Sequence, residues 1–368
     1  MTRSSFSIDF ADHKAIAPGQ TAVDSVIDGR SSCAPPASAP VQGTIMLHIL
    51  HRFAWVLGVL ALASTAAVAQ GYPTRIVTVV VATPPGGQPD ILARLIADRL
   101  SRAFPYRFIV ENRVGANGNL APAHVAKQAP DGHTLFVGSA PFLINPSLYG
   151  DLSFDVFRDF KPIAFLGAAP TALIVNPSFP AKTLAELVDH VRKNPGQPWY
   201  ASPGAATASR ITFELFKRQA NIDVAIVPYR GAGPVFNDVL AGHVPMTIAQ
   251  PEVVAAMVEA GRLRALAVSS KDRAPLLPDV PTYGELGYPI VRTVWSGLFA
   301  PAGTPESIIQ RLNEEARKAL TAPEVHDILD KLGIVVEPMT PDELGQLVAS
   351  EVASYREIVK AAGITAEQ

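Results

Sequence analysis

Strand-like and helix-like patterns of hydrophobic residues alternate along the chain from residue 75 onward. Arg75–Ala82 is a continuous run rich in β-branched residues, which is typical of a strand buried on both faces. Asp90–Ala103 carries apolar residues at helical spacing. Further strands are predicted at Arg107–Glu111, Thr134–Gly138, Ile163–Gly167, Ala172–Asn176, Ala225–Pro228, Met246–Ala249, Leu263–Ser269 and Thr293–Ala300. Because helices fit between most of these strands, the pattern predicts parallel sheets of the α/β class.

The C-terminal part of the chain has a different pattern, with helices in succession and no long strand between them. These helices are predicted at Pro305–Leu320, Pro323–Leu332 and Pro341–Ala362. Capping boxes are expected to start three helices of the chain, at Thr183–Glu186, Thr321–Glu324 and Thr340–Glu343. Since no long linker separates the halves of the chain, it is expected to cross between two domains more than once. The predicted crossings lie near Leu166–Pro170 and Val291–Ser296.

Residues 46–69 have the order of a secretory signal peptide. Arg52 precedes an unbroken apolar run from Phe53 to Ala63, and Ala67-Val68-Ala69 supplies small residues for cleavage. A membrane anchor is the alternative, but spanning a bilayer needs roughly 20 apolar residues and this run is shorter. We therefore interpret residues 46–69 as a cleaved signal peptide and expect the protein in the periplasm.

Residues 1–45 are polar and show no clear period. A signal peptide belongs at an N-terminus, and Met46 stands where translation would start one. We interpret residues 1–45 as a non-native extension; a genuine disordered extension is the alternative. Cleavage after Ala69 removes Cys33, the single cysteine of the chain, so no disulfide or lipoprotein anchor is expected.

Length, composition and charge narrow the classes of function. At roughly 100–200 residues per domain, a chain of 368 residues suggests two domains. The formal net charge of −2 gives no electrostatic footprint for nucleic acid. The sequence contains no P-loop and no G-x-S-x-G motif, and no two histidines after residue 69 stand at metal-ligand spacing. These observations weaken an interpretation as an enzyme or a metalloprotein.

Four loops with small residues sit at strand ends and lead into helices or turns. They are Thr83–Asp90, Gly138–Pro141, Ala201–Thr207 and Ala249–Pro251. Small residues let a ligand approach the backbone, and a helix N-terminus favours a carboxylate or a phosphate. Each loop alone is explained as an ordinary turn. Together, drawn from both halves of the chain, they favour a ligand cleft between two domains.

Motifs spread over residues 72–366 resemble, in order, those of the Bug family, the extracytoplasmic solute-binding proteins of tripartite tricarboxylate transporters. The matching motifs are Tyr72-Pro73, Pro84–Gly87, Asp90–Arg94, Val110–Gly115, Gly118-Asn119, Ala129–Leu135, Asn145–Tyr149, Val227–Pro234, Gly261–Ala267, Leu277–Thr282 and Ala300–Pro305. The resemblance implies the type II periplasmic binding-protein (Venus flytrap) fold, with two α/β domains joined by two crossover strands. Domain 1 would comprise residues 70–166 and 295–368, and domain 2 residues 167–294.

The resemblance also implies the function. A small carboxylate (an organic acid, an acidic amino acid or an aromatic acid) would be held between the domains by helix N-termini and backbone amides. It implies no catalysis, no cofactor and no metal, and the protein is expected to be a monomer that binds no nucleic acid. Membrane transporter subunits or a sensor kinase are possible partners. The expected ligand-binding residues are Pro85, Gly86, Gly87, Asp90, Ser139, Ser202, Gly204, Thr207 and Gln250.

Some residues depart from the family pattern. Gln88-Pro89 replaces a Gly and a Thr of the first loop, and Pro203 stands where Ser is common. Ile248-Ala249 replaces a frequent Asp-Asn, so a polar contact to the distal end of the ligand is lost or is supplied by Gln250.

Three other interpretations stay open. Arg210 and Arg230 could each clamp a carboxylate, although a surface or interdomain ion pair is favoured for both. An enzyme that uses the same cleft and an exported partner-binding protein are the alternatives to a receptor.

Overall fold

The computed structural model describes residues 71–366, so the predicted signal peptide and residues 1–45 lie outside the described residues. The described chain has two lobes, each built on one five-stranded sheet. Its strands and longer helices are, in chain order, β1 (Val77–Val81), α1 (Gln88–Ala103), β2 (Phe108–Asn112), α2 (Leu120–Val125), β3 (Thr134–Gly138), α3 (Ala140–Leu148), β4 (Phe160–Pro170), β5 (Ala172–Val175), α4 (Leu184–Lys193), β6 (Trp199–Ser202), α5 (Ala208–Ala220), β7 (Ala225–Pro228), α6 (Ala232–Ala241), β8 (Met246–Ala249), α7 (Pro251–Glu259), β9 (Arg264–Val268), β10 (Thr293–Pro301), α8 (Glu306–Leu320), α9 (Pro323–Lys331) and α10 (Pro341–Ala362).

Both sheets are mixed, so the prediction of parallel sheets holds for some strand pairs only: β1 pairs parallel with β2 and β3, and β6 with β7 and β8. The first sheet has the order β2-β1-β3-β10-β4, in which β10 runs antiparallel to β3 and β4. The second has the order β7-β6-β8-β5-β9, in which β5 runs antiparallel to β8 and β9. The antiparallel strands β5 and β10 are those with which the chain enters a lobe. Neither is preceded by the helical crossover that connects parallel neighbours.

The first strand is buried on both faces, as its sequence predicts. Val79 packs with Leu92 of α1 on one side of the sheet. Val80 packs on the other side with Phe136, which is fully buried in a cluster with other aromatic rings. The ring centroids of Phe136 and Phe142 lie 5.1 Å apart. This double burial fixes the direction in which β1 delivers the chain to the loop that follows it.

The chain crosses between the lobes at the two places that the sequence predicts. One crossing joins β4 to β5 at Thr171, and the other precedes β10, where Thr293 pairs with Pro170. The buried Ser269 ties them together: its Oγ accepts from the N–H of Thr171 at 2.9 Å, and its carbonyl accepts from the N–H of Arg292 at 2.7 Å. The predicted domain boundaries at 166/167 and 294/295 fall inside β4 and β10 and stay predictions.

Two local features differ from the sequence prediction. β6 was not expected, because Trp199–Ser202 contains no β-branched residue and its end was assigned to the loop Ala201–Thr207. The capping box at Thr321 is wrong. Its hydroxyl donates to the carbonyl of Arg317 at 2.9 Å and so closes α8, whereas Ala322 is the N-cap of α9. Thr340 does form the predicted box with Glu343.

None of the helices within residues 71–366 has the length and apolarity needed to cross a membrane.

Candidate functional site

Five helices of the described chain begin at the wall of one cavity between the lobes. The cavity has a volume of about 760 Å³. Its lining includes the N-caps of α1, α3, α5, α6 and α7, which are Gly87, Ser139, Thr207, Gly231 and Gln250. Each of these helices follows a strand directly, so the N-termini meet where the strands of both sheets end. We call this space the inner cavity.

The helix ends give the inner cavity its electrostatic character. The first N–H groups of an α-helix have no partner within the helix, and the helix dipole places partial positive charge there. No charged side chain and no histidine of the described residues lines the cavity. Proline removes one N–H from the first turn of each of α1, α3, α6 and α7, at Pro89, Pro141, Pro234 and Pro251. The remaining amides, among them those of Gln88 and Ala140, give the cavity wall partial positive charge without a charged side chain.

The loop between β1 and α1 is held in its conformation by Asp90, which lies outside the cavity lining. The Asp90 carboxylate accepts from the N–H of Gly86 at 2.9 Å, from Nε of Arg94 at 3.0 Å and from Nδ2 of Asn112 at 2.8 Å. Burial acts to raise the pKa of Asp90, but these hydrogen bonds outweigh it, and the pKa lies below its usual value. Gly86 has φ +89°, which favours glycine. Asp90 thus positions the loop as a buried anion and does not line the inner cavity.

The loop between β6 and α5 in the second lobe is fixed by hydrogen bonds of Thr207 and Ser202. Thr207 Oγ1 donates to the carbonyl of Gly204 at 2.7 Å and accepts from the N–H of Arg210 at 3.3 Å, which caps α5. The carbonyl of the buried Ser202 accepts from the N–H of Tyr229 at 2.8 Å and so ties the loop to the end of β7. These bonds fix the start of α5 beside the cavity.

A pair of glutamines bridges the lobes across the inner cavity. Nε2 of Gln250, on the second lobe, donates to Oε1 of Gln88 on the first at 3.4 Å. Nε2 of Gln88 donates in turn to the carbonyl of Val294 at 3.2 Å, in the strand that returns to the first lobe. Gln88, which departs from the family pattern, therefore contacts both lobes and a crossover strand.

The residues expected to bind a ligand fall into three groups. Four of them line the inner cavity, namely Gly87, Ser139, Thr207 and Gln250. Gly204 lines a second space of about 760 Å³, the outer cavity, which also contains Asn117, Tyr149, Tyr229 and Arg230 and shares Thr207 with the inner one. The remaining four residues line neither cavity: Pro85, Gly86, Asp90 and Ser202.

The two arginines have different surroundings. Arg210 forms an ion pair with Glu214 on the same helix, with Nη2 and Oε1 3.0 Å apart. The pair is buried and both members belong to one lobe, so it is neither the surface pair nor the interdomain pair that is expected from the sequence. Arg230 is exposed on the outer cavity and forms no ion pair with a described residue, so the ion pair favoured for it is absent from the described part of the chain. Neither guanidinium lines the inner cavity.

Two lining residues were missed by the sequence interpretation. Thr83 lines both cavities, and its buried hydroxyl has no partner among the described residues. Gly231 is the N-cap of α6 with φ +104°, and its place in the Val227–Pro234 motif was the signal that could have identified it. Within residues 71–366, no three His, Cys, Asp or Glu side chains are grouped so as to hold a metal ion.

The family model described as TctC, the tripartite tricarboxylate transporter family receptor, matches residues 92–364. A UPF0065 protein from the tcbD-tcbE intergenic region of Pseudomonas sp. (strain P51) is 36% identical over 299 residues, which cover 81% of this chain and 89% of that protein. Protein BugT of Bordetella pertussis is 32% identical over 323 residues, which cover 87% of this chain and 98% of BugT.

Two solved structures with bound ligands are also similar. Rpa4515 of R. palustris with adipate has a TM-score of 0.72 and 33% identity, covering 80% of this chain and 99% of that one. MatC (Rpa3494) from Rhodopseudomonas palustris with bound malate has a TM-score of 0.69 and 34% identity, covering 78% and 100%.

These likenesses, together with the two sheets, confirm the predicted Venus flytrap fold. The family model covers well over half of the chain, and the family and the similar structures are solute-binding proteins rather than enzymes. The chain therefore belongs to the tripartite tricarboxylate transporter receptor family, the family of periplasmic receptors to which Bug proteins belong.

Proposed function

We propose that this protein captures a small carboxylate in the inner cavity and delivers it to the membrane subunits of a tripartite transporter. The observation that carries the proposal is the convergence of helix N-caps from both lobes on a cavity that no described charged side chain lines. A carboxylate there would accept charge-assisted hydrogen bonds worth about 1.5–3 kcal/mol each. Adipate and malate, bound by two similar proteins, belong to this chemical class.

The partner and the location are part of the same proposal. A sensor kinase would use the same binding step, but the family is one of transporter receptors, which favours the transporter. A ligand that contacts both lobes favours the closed arrangement, which is the form a membrane partner can distinguish.

Carboxylates are expected to stabilise the protein, and their amides are not. Malate, adipate, benzoate and hexanoate are each compared with the matching amide by thermal unfolding. At about a hundredfold excess over Kd, binding adds about 2.7 kcal/mol, which raises Tm by about 4 °C or more for a protein of this size. Equal stabilisation by acid and amide, or no stabilisation by any acid, would contradict the proposal. Mass spectrometry of the same samples is expected to show no product, in contrast to the enzyme alternative.

Export is tested at the N-terminus. We expect N-terminal sequencing of the protein from a periplasmic fraction to begin at Gln70, because Ala67-Val68-Ala69 is the predicted cleavage site. Recovery of peptides from residues 1–45 in that fraction would contradict both the start at Met46 and the cleavage.

A further inference from the structure

One half of the inner cavity is apolar. It is formed by α6, β8 and α7 of the second lobe, and we call it the apolar half. Its side chains are Val235, Phe236, Leu240, Ile248, Val253 and Met257. Val253 keeps 46% of its surface exposed, and Phe236, Leu240 and Met257 are only half-buried. Large apolar side chains that stay uncovered inside a ligand cavity indicate that part of the ligand covers them.

The polar side chains on the elements of the apolar half, which are Asn237, Thr247 and Gln250, are neutral, and the other polar groups of the lining lie outside it. The N-caps Gly87 and Ser139 belong to the first lobe, and the Thr207 hydroxyl stands at the start of α5. One carboxylate is satisfied there by backbone N–H groups and hydroxyls. The ligand is then expected to extend from this polar side towards the apolar half.

A second carboxylate would find no counter-charge in the apolar half. Ile248-Ala249 places two apolar residues at the end of β8, and no Lys, Arg or His among the described residues lines the cavity. The positive ends of α6 and α7 are each weakened by a proline in the first turn, Pro234 and Pro251 respectively, because proline lacks an N–H. Removing an ionised carboxylate from water without a partner costs several kcal/mol.

We propose that the protein selects a monocarboxylate with an apolar body, alkyl or aryl, over a dicarboxylate of the same length. This inference rests on the proposed function and goes beyond it by naming the ligand class. The first lobe and α5 bind the carboxylate, and the apolar half covers the body. Burial of the body stabilises the complex with each CH₂ group that is covered, whereas the second carboxylate of a diacid is desolvated without compensation.

Calorimetric titration with two matched pairs tests the inference. Hexanoate is compared with adipate, and benzoate with terephthalate, so that each pair differs by one carboxylate and the two pairs distinguish alkyl from aryl bodies. In the pair that binds more tightly, we expect the monoacid to bind at least about thirtyfold more tightly than the diacid, or about 2 kcal/mol. A diacid that binds as tightly as its monoacid, or more tightly, would overturn the inference and leave the receptor proposal standing. If neither these acids nor malate bind, both the inference and the receptor proposal are contradicted.

A charge placed in the apolar half gives a second readout. Val253→Lys adds a cation at an exposed lining position, whereas Ala256→Lys adds it at an exposed position on α7 outside the cavity. Val253→Lys is expected to lower the affinity for the monoacid at least tenfold. It is also expected to reduce the ratio of the monoacid affinity to the diacid affinity. Ala256→Lys is expected to keep both affinities within about twofold of the parent. Equal effects of the two substitutions would argue against an apolar subsite at Val253.

Discussion

Gly87→Val is expected to lower the affinity for a bound acid at least about a hundredfold, or about 2.7 kcal/mol, in a protein that still folds. Gly87 has φ −73° and ψ 157°, which any L-residue adopts. A Cβ atom built there would lie 3.7 Å from Pro84 O and from Thr83 Oγ1, which is ordinary contact. The backbone therefore accepts valine, but its methyl groups would occupy the space beside the free N–H of Gln88. Calorimetric titration uses the acid that stabilises the parent most.

The neighbouring glycine is the matched control. Gly86 is exposed, lines neither cavity and has φ +89°, so Gly86→Val strains the backbone by roughly 1–2 kcal/mol without entering the site. We expect this variant to lose stability and to keep its affinity per folded molecule. Near-parental affinity of Gly87→Val would instead exclude the first loop as the carboxylate site.

Glu214→Ala is expected to destabilise the protein by about 3–5 kcal/mol, because it leaves the guanidinium of Arg210 buried without a counter-charge. The side chains of Arg210 and Glu214 are only 5% and 8% exposed. The second cation near Glu214 is Lys217, whose Nζ lies 3.8 Å from the carboxylate. Chemical denaturation measures the loss of unfolding free energy, and titration of the folded fraction is expected to show unchanged affinity.

The paired replacement separates structure from binding. Arg210→Met combined with Glu214→Leu removes both charges, so its stability is expected to lie close to that of the parent. If Arg210 clamped a carboxylate, this double variant would lose more than about tenfold in affinity. Such a loss would contradict the placement of Arg210 outside the inner cavity.

Most of the fold could be predicted from periodicity. The strand from Arg75, the helix from Asp90 and the long helix Pro341–Ala362 are strongly patterned, and the structure has each of them within two residues of the prediction. Strand direction could not be predicted, because an alternating order of strands and helices does not show which strand enters from the other lobe. At Thr321 the sequence fits a cap of either helix, and tertiary context selected the preceding one.

The candidate site was predictable only in part. Glycine and hydroxyl residues before helices predicted Gly87, Ser139 and Thr207 as site residues from local sequence alone, and all three line the inner cavity. The role of Asp90 as a support of the loop depends on Asn112, which belongs to another strand. The apolar half is built from two helices and a strand end that sequence spacing does not bring together.

Backbone amide NMR during titration tests most directly whether helix N-termini of both lobes bind the carboxylate. The probe is the acid that gives the largest rise in Tm, and its amide is the control. We expect the largest shifts at the N–H groups of Gln88 and Ala140 on the first lobe and of Ala208 on the second, with none of comparable size for the amide. Shifts confined to one lobe, or centred on the outer cavity around Arg230, would contradict this account.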